Sequence, residues 1–153
     1  MITLRRRGSG FTLLEVLLVL VIAAGGYALV VRLSGGGVSG SQLKSAARAV
    51  AAGLRDARGT AIARQEPTAL FIDLERRRIE VEGRGRPHSL PERMSLKLYT
   101  AQSEIVDEQR GAIRFYPDGS STGGRVTLQG SGESQLLVDV DWLTGRVTIR
   151  DGA

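Results

Sequence analysis

Residues 10–31 read GFTLLEVLLVLVIAAGGYALVV, and this stretch decides how the rest of the chain is arranged. From Phe11 onward about 21 residues carry a single ionisable side chain, Glu15, and a helix of that length spans the hydrocarbon core of a bilayer. Its apolar side chains favour insertion by about 4 to 8 kcal/mol, whereas one acid at the helix centre costs about 3 kcal/mol. The sequence therefore predicts a transmembrane helix over residues 11–33, in which Glu15 has a partner or a function.

The segment before this helix, MITLRRRGS over residues 1–9, differs from a secretory signal peptide. Arg5, Arg6 and Arg7 are followed at once by glycine and serine, and no small-residue cleavage site follows the apolar run. We expect any cleavage to fall before the apolar run, so that the anchor stays on the mature protein. The three arginines also predict a cytoplasmic amino terminus, with the rest of the chain across the membrane. In a bacterium, that membrane would be the inner membrane and the head would lie in the periplasm.

The motif GFTLLE at residues 10–15, between a basic segment and an apolar helix, resembles the class III signal of type IV pilins and type II secretion pseudopilins. The resemblance implies that a prepilin peptidase removes residues 1–10 by cutting between Gly10 and Phe11, and then methylates the amino group of Phe11. It also implies that Glu15 neutralises that amine on a neighbouring subunit during assembly. Because methylation leaves the amine charged, such an ion pair would form in a low dielectric and would set the register of bundled helices.

Length, charge and cysteine content narrow the classes of function. A chain of 153 residues allows one domain in addition to the anchor. Removal of the leader lowers the formal charge from +5 to +2, so a nucleic-acid partner is not expected, because such proteins usually carry a larger positive excess on one face. The absence of cysteine excludes disulfides, thiol catalysis, c-type haem attachment and cysteine-ligated zinc.

A glycine-rich joint and an amphipathic helix are predicted after the anchor. Residues 34–40, SGGGVSG, contain four glycines and predict a flexible joint before a head over residues 41–153. From Ser41, as the N-cap, to about Ala63, small apolar residues recur with a helical period, which predicts a helix that packs on a sheet. The predicted stripe contains Leu43, Ala46 or Ala47, Val50, Leu54, Ala57 or Arg58, and Ala61 or Ile62, and the basic residues Lys44, Arg48, Arg55 and Arg58 are expected on a solvated face.

The remainder of the head has the pattern of strands. Residues 68–74 and 78–82 flank a short turn and predict a hairpin, which a loop over residues 83–88 follows. The pattern indicates an α+β fold of the pilin type, in which one helix after the anchor packs on an antiparallel sheet or on two small sheets. Further strands are predicted at residues 94–100, 113–116, 125–129, 136–141 and 146–150.

Two motifs in the carboxy-terminal half narrow the resemblance. IRFYPDGSSTGGRV at residues 113–126 and VDVDWLTGRV at residues 138–147 are similar to the globular domain of minor pseudopilins of the general secretion pathway protein H family. Physically, YPDG at residues 116–119 and LTGR at residues 143–146 are turn signals that order the sheet. Related minor type IV pilins, which take part in pilus assembly or DNA uptake, share this domain and provide the alternative function.

The resemblance implies a structural subunit of the type II secretion system. Such a subunit lies near the tip of the periplasmic pseudopilus, the short filament that drives export of folded proteins across the outer membrane. Its implied partners are other minor and major pseudopilins, the prepilin peptidase, the inner-membrane assembly platform and, as a further class, the exported proteins.

Candidate residues for catalysis or metal binding are few. GSSTG at residues 119–123 formally matches the G-x-S-x-G motif, but strand patterns lie on both sides of it and a nucleophile elbow needs a helix after the serine. The possible base, His88, lies in an arginine-rich loop. Asp139 and Asp141 are two residues apart on a strand and face the same side, yet no loop of oxygen ligands accompanies them. We therefore predict no enzymatic activity, no catalytic residues, no cofactor and no metal site.

Overall fold

The computed structural model describes residues 12–33, 40–130 and 134–152. The predicted leader with its cleavage site, at Gly10 and Phe11, lies outside these residues, and so do residues 34–39 of the predicted joint. The chain divides into two compact units, Met1–Gly36 and Gly37–Ala153, and each unit is described by itself.

The first unit contains the helix α1, Leu13–Leu33, in the stretch for which a helix was predicted. Thr12 precedes it, and the backbone N–H of Glu15 donates to the Thr12 carbonyl oxygen over 3.0 Å and to the Thr12 hydroxyl oxygen over 3.2 Å. Its large apolar side chains are exposed on every side, with exposed fractions between 48% for Val16 and 84% for Leu13. Among the described residues, no helix combines the length and the hydropathy that a membrane crossing requires.

The second unit begins with the helix α2, Gly40–Arg64. Gly40 was assigned to the joint and Ser41 to the N-cap, and both assignments are wrong because the helix already includes them. The predicted apolar stripe is confirmed as the buried face, where small alanines allow close approach to the sheets. The buried residues of α2 are Leu43, Ala46, Ala47, Val50, Ala51, Leu54, Ala57, Thr60 and Ala61.

Nine strands follow in the described part of the chain and form two antiparallel sheets, so the alternative with two small sheets is confirmed. The first sheet has the order β3-β2-β1-β6-β5 and the second has the order β4-β7-β8-β9. The strands are β1 Thr68–Asp73, β2 Arg78–Val81, β3 His88–Ser89, β4 Ser95–Thr100, β5 Ile105–Asp107, β6 Arg110–Phe115, β7 Gly124–Gln129, β8 Gln135–Val140 and β9 Val147–Asp151, with a 3-10 turn at Gln102–Glu104 before β5.

Two short edge strands differ from the sequence prediction. His88, the last residue of the predicted loop, forms β3 together with Ser89, because the two residues pair with Ile79 and Arg78 at the start of β2. Strand β5 was not predicted at all, and it pairs with β6 through an irregular register. Segments of two or three residues are too short for the alternation of apolar side chains that identifies longer strands.

The core of the second unit lies between α2 and the inner faces of both sheets, since α2 packs against strands of each. Leu54 of α2, Leu70 of β1, Phe115 of β6 and Val126 of β7 are completely buried. Truncation of a buried aromatic side chain such as that of Phe115 to alanine typically costs about 3–5 kcal/mol. This core fixes the positions of the turns and of the outer sheet faces that could meet a partner.

Candidate functional site

Glu15, the predicted assembly residue, is among the described residues and lies in the first turn of α1. Its side chain is exposed, while its backbone N–H donates to Thr12, the residue before the helix. A carboxylate in the first turn of a helix interacts favourably with the positive end of the helix dipole. The position is therefore compatible with a second positive partner, such as the amine predicted for the assembly role.

Ser121 does not have the geometry of a nucleophile. Ser121 is buried. Its hydroxyl donates to the Asp141 carbonyl oxygen over 3.0 Å and accepts a hydrogen bond from the Gly123 N–H over 3.0 Å. His88 lies on the edge strand β3 of the other sheet and is not among the hydrogen-bond partners of Ser121. The hydroxyl thus joins neighbouring backbone segments.

The turn between β8 and β9 is closed by its own hydrogen bonds. The Asp141 carboxylate accepts the Thr144 N–H over 2.8 Å and the Thr144 hydroxyl over 2.7 Å, and the Gly145 N–H donates to the Asp141 carbonyl over 2.9 Å. The hydrogen bonds from the Thr144 backbone and side chain lower the pKa of Asp141 below its usual value. Gly145 has φ +61, which favours glycine at this position, so the turn signal at residues 143–146 is confirmed.

This turn presents Trp142 outward on a fixed backbone. The Ser121 N–H donates to the Trp142 carbonyl over 2.8 Å, and a Cβ added at Gly123 would lie 3.0 Å from the Trp142 Cβ. The residue nevertheless remains 65% exposed, and its neighbour Leu143 is exposed as well. An aromatic side chain that is exposed on an ordered backbone is a common feature of protein interfaces.

Arg58 connects α2 to two turns of the head. Its Nε donates to the Gly119 carbonyl and its Nη2 to the Thr144 carbonyl, each over 3.1 Å. The turn at residues 116–119 is confirmed by the Gly119 N–H, which donates to the Tyr116 carbonyl over 2.9 Å. The prediction that Arg58 lies on a solvated face is wrong, because Arg58 is half-buried and its guanidinium donates to two backbone carbonyls of the head.

Asp139 is held between two arginines on the outer face of the second sheet. Arg125 Nε lies 2.5 Å from Asp139 Oδ1, and the Nε of Arg150 donates to Asp139 Oδ2 over 2.8 Å while its Nη2 pairs with the same oxygen. Burial raises the pKa of Asp139, but the hydrogen bonds and charges of the two arginines outweigh it and leave the pKa below its usual value. The strand pattern had indicated Asp139 as a possible ligand, but it could not show these partners.

Metal binding finds no support in the described residues. No group of three or more histidine, cysteine or acidic side chains is placed there to hold an ion. The oxygens of Asp139 accept from arginines, and one oxygen of Asp141 accepts from Thr144.

Tyr99 and Trp142 are two candidate functional residues that were not predicted from the sequence. Tyr99 occupies the solvent face of β4, where it is 78% exposed and lies opposite Arg125. The alternation in MSLKLYT at residues 94–100 places Tyr99 on the same face as Lys97, and this was the signal that could have identified it. For Trp142 the corresponding signal was its position beside a turn, where few apolar residues become buried.

The head and the amino-terminal segment each match a known family model. Residues 46–145 match the family described as type II transport protein GspH. Residues 5–24 match the prokaryotic N-terminal methylation motif. The first match covers most of α2 and the strands β1 to β8, and the second covers part of the predicted leader and the first part of α1.

A curated relative and two solved structures agree with these matches. The chain is 39% identical over 143 residues to type II secretion system protein H of Xanthomonas campestris pv. campestris. The aligned region covers 94% of this chain and 83% of that protein. The minor pseudopilin EpsH from the type 2 secretion system of Vibrio cholerae superposes with a TM-score of 0.55 at 14% identity, over 71% of this chain and 94% of that chain. The type IV minor pilin FimU of Pseudomonas aeruginosa superposes with a TM-score of 0.56 at 16% identity, over 72% of this chain and 89% of that chain.

The two structures share the fold with this chain, which agrees with the predicted pilin-like α+β class. The sequence relationship is more specific, because the family model and the relative each cover more than half of the chain. On these two matches, the chain belongs to the type II transport protein GspH family.

Proposed function

We propose that this chain is a minor pseudopilin of the type II secretion system and acts near the tip of the periplasmic pseudopilus. The observation that carries the proposal is the match of residues 46–145 to the GspH family, together with the methylation motif over residues 5–24. Membership of this family implies interaction with other pseudopilins of the same system. The contribution of the subunit to export is mechanical.

Maturation begins at the leader. A prepilin peptidase cuts between Gly10 and Phe11, removes residues 1–10 and methylates the new amino terminus of Phe11. The apolar stretch over residues 11–33 then remains as an inner-membrane anchor, with its amino terminus on the cytoplasmic side. The apolar surface on every side of α1 supports this proposal, because a helix with that surface is stable when lipid or other helices surround it.

Assembly joins the anchor to neighbouring helices and the head to neighbouring heads. Glu15 pairs with the amine of an adjacent subunit, and the inner-membrane assembly platform receives the subunit. The joint over residues 34–40, apart from Gly40 in α2, allows the head to take its orientation in the filament. The exposed turns and sheet faces of the head supply contacts to other pseudopilins and to exported proteins.

The function involves no chemical reaction. The hydroxyl of Ser121 and the carboxylate of Asp141 are engaged in the turns of the fold, which supports a structural subunit over an enzyme. The minor type IV pilin is the second candidate, favoured only by the shared fold of FimU.

Deletion of the gene in its host tests the proposal. A normally exported hydrolase should accumulate in the periplasm and disappear from the medium, while DNA uptake should remain normal. Complementation with the intact gene should restore export. Loss of DNA uptake with normal export would contradict the proposal and would assign the protein to the pilus.

A further inference from the structure

The outer face of the second sheet contains an open groove next to the turn between β8 and β9. The groove has a volume of about 1300 Å³. Tyr99 lines it from β4, Arg125 from β7, Asp139 from β8 and Arg150 from β9, and Trp142 stands at the end beside the turn. The strand register accounts for this arrangement, because Tyr99 lies opposite Arg125 and Arg125 lies opposite Asp139.

The charges in the groove favour an anion. Arg125, Arg146 and Arg150 line it with Asp139 and Asp141, which leaves an excess of positive charge. Both carboxylates accept hydrogen bonds from their neighbours within the fold. Arg146 is exposed and has no carboxylate oxygen within 4.0 Å in the described part of the chain, although its positive charge helps to lower the pKa of Asp141.

The paired arginines also retain donors for a ligand. A guanidinium group carries five N–H donors, of which Arg125 uses Nε, and Arg150 uses Nε and Nη2, in their bonds to Asp139. The Arg125 and Arg150 side chains remain 47% and 59% exposed, so both are accessible to a ligand. Arginine donors of this kind bind carboxylates through two parallel hydrogen bonds.

Aromatic side chains complete the site. Tyr99 and Trp142 both line the groove and remain exposed, and the Trp142 backbone carbonyl accepts a hydrogen bond from the Ser121 N–H. Burial of such rings is a major source of affinity in protein interfaces. Less conformational entropy is lost on binding when the backbone that carries the ring is already fixed. The groove therefore combines apolar anchors with donors for carboxylates.

We propose that this groove binds an acidic, partly apolar peptide segment of a partner protein. The inference rests on the proposed function, in which the head contacts other proteins, and it specifies the surface and the chemistry of the partner. The separate carboxylates of such a peptide can each pair with one of the guanidinium groups of Arg125, Arg146 and Arg150. Nucleic acid fits less well, because its continuous row of phosphates would meet Asp139 and Asp141 as well as the arginines.

The test uses Trp142, the one tryptophan in the sequence, as the reporter. The full chain in detergent micelles is titrated with a synthetic peptide of glutamate, leucine and glycine, and with the same peptide carrying glutamine in place of glutamate. The acidic peptide should shift the Trp142 emission to shorter wavelength and protect it from iodide, and added salt should weaken the effect. Equal binding of the two peptides, or no shift with either, would overturn the proposal.

Variants locate the binding in the groove. Arg146→Gln, which removes no ion pair of the fold, should weaken binding about tenfold, the effect of one lost charge-assisted hydrogen bond. Tyr99→Ala should also weaken binding, whereas Arg48→Gln, at an exposed position of α2, should leave it unchanged. Unchanged affinity in the Arg146→Gln and Tyr99→Ala chains would contradict the proposal.

Two further measurements exclude other occupants. A larger shift with a single-stranded oligonucleotide than with the acidic peptide would overturn the proposal in favour of nucleic acid. A shift that depends on protein concentration without any peptide would overturn it in favour of a second copy of the chain. Because the titration needs no secretion system, failure of peptide binding is distinguishable from failure of the secretion assay.

Discussion

Arg58 donates from Nε to the carbonyl oxygen of Gly119 over 3.1 Å, and these residues are 61 positions apart in the sequence. The same guanidinium donates from Nη2 to the Thr144 carbonyl, so one side chain of α2 holds both turns at one end of the head. Gly145 packs directly against this arrangement, where a Cβ would collide with the Gly119 carbonyl oxygen. The orientation of Trp142 depends on these contacts, because it belongs to the turn that Arg58 and Gly145 hold.

Arg58→Ala is expected to lower the free energy of unfolding by about 1–3 kcal/mol, because two carbonyl oxygens lose a charged donor. Urea unfolding of the full chain in detergent, followed by Trp142 fluorescence, measures the change. Arg48→Ala removes an exposed arginine from the same helix and should change stability by less than about 0.5 kcal/mol. Equal stability of the two variants would show that the Arg58 contacts do not stabilise the head.

Gly145→Ala should destabilise the head by about 2–4 kcal/mol, since it combines a positive φ with a steric collision. Gly59→Ala is the matched substitution, because the residue is inside α2 and its added Cβ would have no atom within 4 Å other than those of its chain neighbours and the adjoining helix backbone. Alanine is the better helix former there, so Gly59→Ala should stabilise by about 0.5–1 kcal/mol. The two glycine variants should therefore move the urea midpoint in opposite directions, and a shift in the same direction would contradict this account.

Local patterns were sufficient for most of the fold and insufficient for the site. The alternation in TALFIDL at residues 68–74 identified β1 to within one residue, and the small stripe of α2 identified its buried face. In contrast, Arg125 and Arg150 reach Asp139 only through the register of three strands. The contact between Arg58 and Gly119 likewise depends on how α2 packs on the sheets, and the spacing of apolar residues in the sequence does not predict that packing.

The stability of the head should depend on pH through Asp139. Its pKa in the folded chain lies below the ordinary value of 3.8, despite a raising effect of burial, because Arg125 and Arg150 stabilise the carboxylate. The unfolded chain therefore binds more protons in acid, so this contribution to stability is complete well above pH 3.8 and is lost as the pH falls through the folded pKa. The stability difference between the native chain and Asp139→Asn should shrink in that range, and a difference that stays constant would contradict the assignment.

Ser121→Ala tests the structural role of the serine in the G-x-S-x-G match. We expect a loss of about 1–3 kcal/mol, because the Gly123 N–H and the Asp141 carbonyl lose their shared hydroxyl partner. Protein export should continue at a temperature where the variant remains folded, and the urea midpoint provides that control. Complete loss of export from a folded Ser121→Ala protein would contradict a purely structural role.

Glu15→Leu tests the proposed assembly residue. Leucine is more favourable than glutamate in a bilayer, so membrane insertion should persist, and cleavage before Phe11 should persist because Gly10 and Phe11 are unchanged. Incorporation into the filament should decrease, since the amine of the neighbouring subunit loses its carboxylate partner in a low dielectric. Crosslinking between subunits, with the native chain and Leu14→Val as controls, measures incorporation. Equal crosslinking of the Glu15→Leu chain would show that the ion pair is not needed for assembly.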